Sequence, residues 1–293
     1  MRPSDVAAVD SALRDHDYLP DPALATVVFL ALRLDRPLLL EGEAGVGKTE
    51  VAKVLSRWTG GELIRLQCHE GIDVAQAVYE WDYARQLLHL RTLEAAGRAG
   101  SEVDLYDRRF LVRRPLLRAL EAVPGPRPVL LIDEIDRADD EFEAFLLEIL
   151  SEWTVTVPEL GPVRAVEPPV VVLTSNRTRD VHDALKRRCL YHWIDHPEPE
   201  RELEIVRRRA PGADGELARQ VIAVIGTLRA LDLYKSPGVA ETIAWAEAVA
   251  ALGARNLDPE TIDATLGVVV KYREDQERVR ALGLDAIAAG VDR

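Results

Sequence analysis

A glycine-rich segment, "LLLEGEAGVGKTEVAK" (residues 38–53), constrains the fold more than any other part of the chain. The pattern G-x-x-x-x-G-K-[ST] is matched at every fixed position by Gly42, Glu43, Ala44, Gly45, Val46, Gly47, Lys48 and Thr49. An apolar run precedes this pattern and a helix-like segment follows it. Glycines let main-chain N–H groups surround a phosphate, and a helix N-terminus adds partial positive charge. We therefore predict a phosphate-binding loop at residues 42–49, called the phosphate loop below.

The last two residues of the phosphate loop indicate which phosphates it binds. In loops of this pattern the lysine, here Lys48, reaches the β- and γ-phosphates of a nucleotide. The hydroxyl of the next residue, Thr49, is placed to ligate Mg²⁺. The sequence therefore predicts ATP or a similar triphosphate as ligand, together with Mg²⁺.

A second segment, "VLLIDEID" (residues 129–136), places two adjacent carboxylates at the end of an apolar strand. Asp133 is predicted to hold the Mg²⁺, and Glu134 to orient and deprotonate an attacking water. A kinase or a nucleotide switch would not need the second carboxylate, so the pair favours hydrolysis. The alternative is that Glu134 is a solvated residue at a strand end before an acidic turn.

A third segment, "VVVLTSN" (residues 170–176), is another apolar strand that ends in polar residues. The side-chain amide of Asn176 could hydrogen-bond the γ-phosphate or the attacking water. An asparagine after a strand is also a common turn residue, and that alternative stays open.

Short apolar runs alternate with longer helix-period stretches in the first two thirds of the chain. The predicted strands lie at residues 37–42, 62–67, 128–133, 169–176 and 191–196. This alternation predicts an α/β fold with a mostly parallel sheet flanked by helices. Residues 129–132 and 170–173 are apolar at every position, which is typical of strands covered on both faces.

The predicted domain organisation follows from where the strand pattern stops. Residues 1–197 form the α/β nucleotide-binding domain, with an inserted hairpin near 154–166, and residues 198–293 form an all-helical domain. Within the helical domain, Ser236 is the expected N-cap of a helix and Pro237 its first residue.

Composition excludes several classes of protein. The net charge is −13 and the arginines are scattered among acids, so we expect no nucleic-acid partner. Cys68 and Cys189 lack the spacing of a zinc site or disulfide framework, so reduced thiols are expected. The N-terminus lacks an apolar secretory region and no apolar run approaches a membrane span, so we expect a cytoplasmic location.

The order of these segments resembles that of AAA+ ATPases. Walker A (residues 42–49), Walker B (129–134), a sensor-1 asparagine (Asn176), arginines before the fifth strand and C-terminal helices cover nearly the whole chain. The segment "DEIDRAD" with the inserted hairpin resembles the MoxR branch. Longer stretches, such as "LQCHEGIDVAQAVYEWDYARQLL", look like CoxD-type members.

The resemblance implies a ring, often a hexamer, in which an arginine of one subunit contacts the neighbour's γ-phosphate. Arg188 is the first candidate for this role and Arg187 the second, because Lys186 leaves the register ambiguous. The alternative is an ordinary basic helix terminus. Arg137 could face the interface or form a local salt bridge. Family members commonly carry a sensor-2 arginine within Ser-Pro-Arg, whereas this chain has Gly238 at that position.

The function that this resemblance implies is Mg²⁺-dependent ATP hydrolysis that remodels a client protein. For a CoxD-like member, the client would be a molybdenum-containing metalloenzyme under maturation, and a von Willebrand factor A domain protein would be a partner. One alternative is a non-hydrolysing, ATP-gated scaffold. Another is a DNA-directed AAA+ motor, which the net charge of −13 opposes.

Overall fold

The computed structural model describes residues 2–97, 105–121 and 125–288, and its contacts divide the chain into two compact units. The first unit comprises Met1–Ala12, Pro22–Glu41 and Val51–His192. The second comprises Leu13–Asp21, Gly42–Glu50 and Trp193–Arg293. The whole phosphate loop and the C-terminal helices thus belong to one contact unit. The boundary between residues 197 and 198 stays a prediction, because this division follows compactness and not chain order.

The elements up to residue 193 alternate strands with helices. In chain order they are α1 (Val6–Asp15), α2 (Pro22–Leu34), β1 (Leu38–Glu41), α3 (Lys48–Thr59), β2 (Leu63–Gln67), α4 (Val74–Ala77), β3 (Tyr79–Trp81), α5 (Tyr83–Ala95), β4 (Leu111–Arg113), α6 (Pro115–Leu120), β5 (Val129–Asp133), α7 (Asp140–Glu152), β6 (Thr154–Val157), β7 (Gly161–Arg164), β8 (Val170–Ser175), α8 (Asp183–Arg188) and β9 (Leu190–Trp193).

The main sheet has five strands in the order β2-β5-β8-β1-β9. The pairs β2–β5, β5–β8 and β8–β1 are parallel, so the predicted parallel sheet is confirmed. Every residue of β1, β5 and β8 is buried, and each strand begins with at least three consecutive apolar residues, as expected of strands covered on both faces. Strand β2 lies at one end of the sheet and alternates between buried and exposed residues. Its exposed residues, Arg65 and Gln67, share one face.

The core of the first unit forms where helices cover this sheet. Helix α7 begins after Asp139, whose side chain accepts a hydrogen bond from the main-chain N–H of Phe142. From there Phe142, Leu146 and Ile149 face the same side of the helix and are buried against the sheet residues. These three residues therefore belong to the core of the first unit.

Two further pairs of short strands lie outside the main sheet. Strands β6 and β7 pair antiparallel, and they form a hairpin where the sequence predicts one. Strands β3 and β4 form a second antiparallel pair within the segment between β2 and β5.

The helices after residue 198 build the core of the second unit. They are α9 (Pro199–Arg209), α10 (Gly215–Arg229), α11 (Val239–Ala251), α12 (Pro259–Val269), α13 (Arg273–Leu282) and α14 (Leu284–Ala288). Val221, Ile225, Trp245 and Leu266 are fully buried in this core. The indole N–H of Trp245 donates to the hydroxyl of Thr265 at 2.7 Å, which satisfies its polar atom in the apolar interior.

The start of helix α11 differs from the sequence prediction. The helix begins at Val239 with Gly238 as N-cap, so the assignment of Ser236 and Pro237 to these positions was wrong. The physical reason is a long-range contact: the Nε of Arg229 donates to the carbonyl of Pro237 at 2.9 Å. That carbonyl is therefore used outside the helix, and the side chain of Glu241 reaches back to the main-chain N–H of Gly238.

None of the helices within residues 2–97, 105–121 and 125–288 combines the length and the apolar character needed to cross a lipid bilayer.

Candidate active site

The phosphate loop connects the end of β1 at Glu41 to the start of α3 at Lys48. Gly45 and Gly47 have φ angles of +82° and +98°, in the region where glycine is favoured. The side chain of Lys48 is buried and folds back along the loop. Its Nζ donates to the carbonyl oxygens of Gly42 at 2.7 Å and Glu43 at 2.5 Å. The ammonium group is thereby held against the loop that the sequence predicts to surround phosphates.

Other segments of the second unit enclose the phosphate loop. A methyl group placed on Gly42 would lie 2.3 Å from the carbonyl oxygen of Ile194, so no side chain fits there without a main-chain shift. The side chain of His196 contacts the carboxylate of Glu43 at 3.1 Å. Tyr18 lies beside Gly47, and burial raises the pKa of its hydroxyl. The glycine that opens the motif is thus required by close packing.

Glu41, the last residue of β1, has a buried carboxylate held by two neighbouring strands. Its Oε1 accepts from the hydroxyl of Ser175 in β8 and its Oε2 from the hydroxyl of Tyr191 in β9, each at 3.1 Å. Burial, followed by the charge of Glu41, raises the pKa of Tyr191. These contacts fix the strand end from which the phosphate loop departs. The sequence analysis missed Glu41, whose signal was a carboxylate inside an otherwise apolar strand.

The acidic pair lies at the same edge of the sheet, where the parallel strands β5, β8 and β1 end. The side chain of Asp133 is 5% exposed and each of its oxygens has a partner. Oδ1 accepts from the hydroxyl of Thr174 at 2.5 Å, and Oδ2 accepts from the Nε of Arg65 at 3.0 Å and its Nη2 at 2.5 Å. Thr174 and Arg65 are therefore site residues that the sequence analysis missed.

Glu134 is oriented differently from its neighbour. Its main chain is left-handed, with φ +57° and ψ +52°, and its N–H donates to the hydroxyl of Thr174 at 3.0 Å. A left-handed conformation costs a residue other than glycine about 1 kcal/mol, so this hydrogen bond offsets part of that cost. The carboxylate Oε2 accepts from Gln67 Nε2 and from Arg137 Nη1, both at 3.0 Å. Arg137 thus forms the local salt bridge that was one of its two alternatives, and a role at a subunit interface stays a prediction.

Asn176 directly follows β8 at the same sheet edge and is half-buried. Its side chain makes no hydrogen bond to any other described residue. The turn after it contains Arg177 at φ +56° and is held by Asp136. The Oδ2 of Asp136 accepts from the N–H and the hydroxyl of Thr178, at 2.9 and 2.6 Å. Asn176 therefore has the features of a turn neighbour, but its amide is free to reach a ligand.

Arg187 and Arg188 form the C-terminal end of the short helix α8, and both side chains are exposed. Within the described part of the chain, neither guanidinium forms an ion pair. Their main-chain carbonyls, in contrast, accept hydrogen bonds from Arg36, at 2.9 Å for Arg187 and 3.1 Å for Arg188. Arg36 thereby satisfies carbonyls at the helix end and leaves two projecting cationic side chains.

The side chains of the two candidate metal ligands, Asp133 and Thr49, offer the type of donor atom that Mg²⁺ binds. The candidates Asp133 and Thr49 offer a carboxylate and a hydroxyl, and Mg²⁺ prefers oxygen ligands. Within residues 2–97, 105–121 and 125–288, no cluster of three or more His, Cys, Asp or Glu side chains could hold a metal ion. Mg²⁺ typically uses one or two protein ligands together with substrate phosphates and water, which agrees with such a sparse set.

A parallel sheet with this glycine loop after one strand and an acidic pair at the end of another defines the class of P-loop nucleoside triphosphatases. Residues 37–189, more than half of the chain, match the family AAA domain (dynein-related subfamily), and the chain belongs to that family. It is an ATPase of the MoxR-like AAA+ type, as predicted from the resemblance. The CoxD-like branch stays a prediction.

Two relatives illustrate the range of similarity. Protein NorQ of Paracoccus denitrificans is 26% identical over 216 residues, which cover 73% of this chain and 72% of that protein. An uncharacterized protein of Staphylococcus saprophyticus is 22% identical over 206 residues, covering 68% of this chain and 71% of that one.

A solved structure of an ATPase candidate from Cytophaga hutchinsonii covers 88% of this chain and 84% of its own. Its sequence identity is 15% and its TM-score 0.40, so it adds nothing to the site geometry.

AAA+ proteins typically form oligomeric rings, and the family uses a nucleotide and usually Mg²⁺. MoxR proteins act on client proteins.

Proposed function

We propose that this chain hydrolyses ATP with Mg²⁺ in an oligomeric ring, a hexamer by family resemblance, and so remodels a client protein. The observation that carries this proposal is that the two adjacent carboxylates differ in burial and in hydrogen-bond partners. Asp133 is buried with a partner at each oxygen. The side chain of Glu134 is 33% exposed, and its contacts to other described side chains are made through Oε2. Two adjacent carboxylates in such different surroundings suit two different tasks.

We assign binding of the phosphates to the phosphate loop. Its main-chain N–H groups and the Lys48 ammonium supply positive charge, and the start of helix α3 adds to it. The residues proposed to bind ATP are Gly42, Glu43, Ala44, Gly45, Val46, Gly47, Lys48 and Thr49.

Thr49 and Asp133 are the proposed Mg²⁺ ligands. When bound, the metal would neutralise charge on the phosphate oxygens. Arg65 now makes two hydrogen bonds to Oδ2 of Asp133. Release of that oxygen by Arg65 would therefore accompany metal binding.

Glu134 is the proposed general base. Gln67 and Arg137 both donate to Oε2, so Oε1 is the oxygen that can accept a proton from an attacking water. The two donors hold Oε2 in place, and the main chain of Glu134 is left-handed. Asn176 is the proposed partner for the γ-phosphate or for this water.

Arg188, with Arg187 as second candidate, is proposed to contact the nucleotide of a neighbouring subunit. Both guanidinium groups are exposed and lack an ion pair within the described residues, so they can reach another chain. An arginine in this role stabilises negative charge that develops during phosphoryl transfer and makes hydrolysis depend on assembly.

The client is proposed from resemblance. A CoxD-like member would act on a molybdenum-containing metalloenzyme during its maturation, together with a von Willebrand factor A domain protein.

The experiment that tests both ATP hydrolysis and the client uses Glu134→Gln, which keeps the shape of the side chain but removes its basicity. We expect this variant to bind ATP and to release phosphate about 10²- to 10⁴-fold more slowly than the wild type.

The same variant can retain the client, because ATP stays bound. Affinity isolation with ATP should recover a molybdenum-containing enzyme or a von Willebrand factor A protein. An unchanged rate of phosphate release would remove Glu134 as the base. Equal recovery with the Lys48→Ala variant would show that capture does not depend on ATP.

A further inference from the structure

The position of the missing sensor-2 arginine is occupied by a close main-chain contact with the phosphate loop. Gly238 lies directly before helix α11. A methyl group placed on its Cα would lie 2.6 Å from the carbonyl oxygen of Ala44 and 2.9 Å from the Cα of Gly45. Distances below 3.0 Å to main-chain atoms cannot be relieved by rotating a side chain. An arginine at residue 238 therefore requires a main-chain shift.

The phosphate loop meets the same restriction from its own side. A methyl group on Gly45 would lie 2.9 Å from the Oε2 of Glu241 and 3.2 Å from the Cα of Gly238. The main-chain N–H of Ala240 also donates to the carbonyl oxygen of Gly45, at 3.2 Å. Two glycines that face each other thus allow the start of α11 to contact the phosphate loop directly.

The start of α11 is itself held in place. The carboxylate Oε2 of Glu241 accepts from the N–H of Gly238 at 3.0 Å. Arg229 donates to the carbonyl of Pro237 at 2.9 Å, and it also makes hydrogen bonds of 2.7 and 2.8 Å to the two oxygens of the buried Glu202. Because helices α9, α10 and α11 fix this turn together, a side chain at residue 238 would displace the phosphate loop more readily than the turn.

We propose that Gly238 and Glu241 are positioning residues that couple helix α11 to the phosphate loop through main-chain contact, in place of a lid arginine. Movement of the C-terminal helices would then change the shape of the loop at Ala44 and Gly45, and a bound phosphate would restrain those helices in turn. This inference rests on the proposal that the phosphate loop binds ATP.

Gly238→Ala tests the coupling, with Gly226→Ala as matched control. Gly226 lies within helix α10, and a methyl group there meets nothing within 4 Å. We expect Gly238→Ala to raise the dissociation constant for a fluorescent ATP analogue about tenfold or more, since overpacking must distort the loop. Gly226→Ala should bind like the wild type.

Gly238→Arg distinguishes this proposal from the reading in which only the charge of the arginine is absent. If the arginine were merely missing, its return would strengthen ATP binding or speed hydrolysis. We expect it to weaken binding at least as much as Gly238→Ala. Stronger binding in this variant would overturn the proposal.

A second pair of variants keeps the proposal testable if substitutions at residue 238 prevent folding. Glu241→Ala removes the acceptor for the N–H of Gly238 and should weaken ATP binding about threefold to tenfold. Glu241→Gln keeps an acceptor oxygen and should bind within about twofold of the wild type. Equal affinities of the alanine variant and the wild type would overturn the proposal.

Thermal unfolding without nucleotide, measured in parallel, distinguishes coupling from a purely structural role. A structural role lowers the unfolding temperature and leaves the affinity of the folded protein unchanged, which would count against the proposal. Lys48→Ala tests the underlying site: normal ATP binding there would contradict the proposed function. Loss of binding in Lys48→Ala together with normal binding in Gly238→Ala would contradict the coupling alone.

Discussion

Thr174→Val removes one buried hydroxyl and changes the shape of the side chain little. Thr174 is 1% exposed, and its hydroxyl serves both members of the acidic pair. It donates to Oδ1 of Asp133 at 2.5 Å and accepts from the main-chain N–H of Glu134 at 3.0 Å. Valine leaves both groups without this partner, so we expect a loss of stability and of catalytic geometry.

The size of the effect follows from the two hydrogen bonds. A hydrogen bond to a charged group contributes about 1.5–3 kcal/mol and one between neutral groups about 0.5–1.5 kcal/mol. We therefore expect Thr174→Val to lower the free energy of unfolding by about 2–4.5 kcal/mol. Because Glu134 adopts a left-handed conformation, loss of its N–H partner should also let the base move, and kcat should fall about 10²-fold.

Urea unfolding followed by tryptophan fluorescence measures the first effect, and steady-state phosphate release measures the second. Thr227→Val is a suitable control, because among the described residues the hydroxyl of Thr227 bonds the carbonyl of Ala223 within its own helix, at 3.1 Å. We expect that control to change stability by less than about 0.5 kcal/mol. Equal unfolding midpoints for Thr174→Val and the wild type would refute the assigned role of the hydroxyl.

Three further predictions concern single charges and a buried thiol. Arg65→Gln should lower the Mg²⁺ concentration for half-maximal hydrolysis about threefold to tenfold, because it removes the two hydrogen bonds that Arg65 donates to Oδ2 of Asp133. Arg118→Gln, which removes an exposed ion pair with Glu62, is the control, and equal Mg²⁺ dependence of the two variants would contradict this prediction. Arg188→Ala should reduce kcat roughly 10³-fold with little change in ATP affinity. Mixing it with Glu134→Gln subunits should restore activity, because the one subunit still supplies Glu134 and its neighbour Arg188. Failure to restore activity would shift the role to Arg187 or elsewhere. Burial raises the pKa of Cys189 from 9.0 to about 12, so the unfolded chain loses the thiol proton before the folded chain does as pH rises above 9. The contribution of Cys189 to the free energy of unfolding should therefore fall by up to about 1.4 kcal/mol per pH unit. Cys189→Ala should have a shallower decline in urea midpoint between pH 9 and 11, and parallel curves would contradict that contribution.

The parts of the fold that were predictable are those where one local pattern has one physical solution. Strands β5 and β8 are apolar at almost every position, which requires cover on both faces and hence a central place in a parallel sheet. The phosphate loop was predictable because glycines between a strand and a helix match a single known geometry. The roles of individual residues in the loop stay predictions.

The parts that were not predictable depend on partners far away in sequence. Glu41 is held by Ser175 and Tyr191, which lie 134 and 150 residues further on. Arg65 and Gln67 are the exposed residues of strand β2, and only the register of β2 beside β5 brings them to the acidic pair. No pattern within either segment encodes these pairings.

The start of helix α11 shows how a local rule can be overridden. Ser236 and Pro237 have the composition of an N-cap and a first helical residue. The contact between Arg229 and the carbonyl of Pro237 shifts the start by two residues, to a glycine that touches the phosphate loop. The local sequence cannot predict that contact, because Gly238 is required by the close approach of Ala44 and Gly45 and not by the conformation of its own turn.

A crystal structure with Mg²⁺ and a non-hydrolysable ATP analogue would test the central claim most directly. We expect the β- and γ-phosphates to lie against the main-chain N–H groups of the phosphate loop and Lys48, with the metal ligated by Thr49 and Asp133. We also expect Arg65 to have left Oδ2 of Asp133. An analogue bound elsewhere, or a metal ligated by other side chains, would contradict the account.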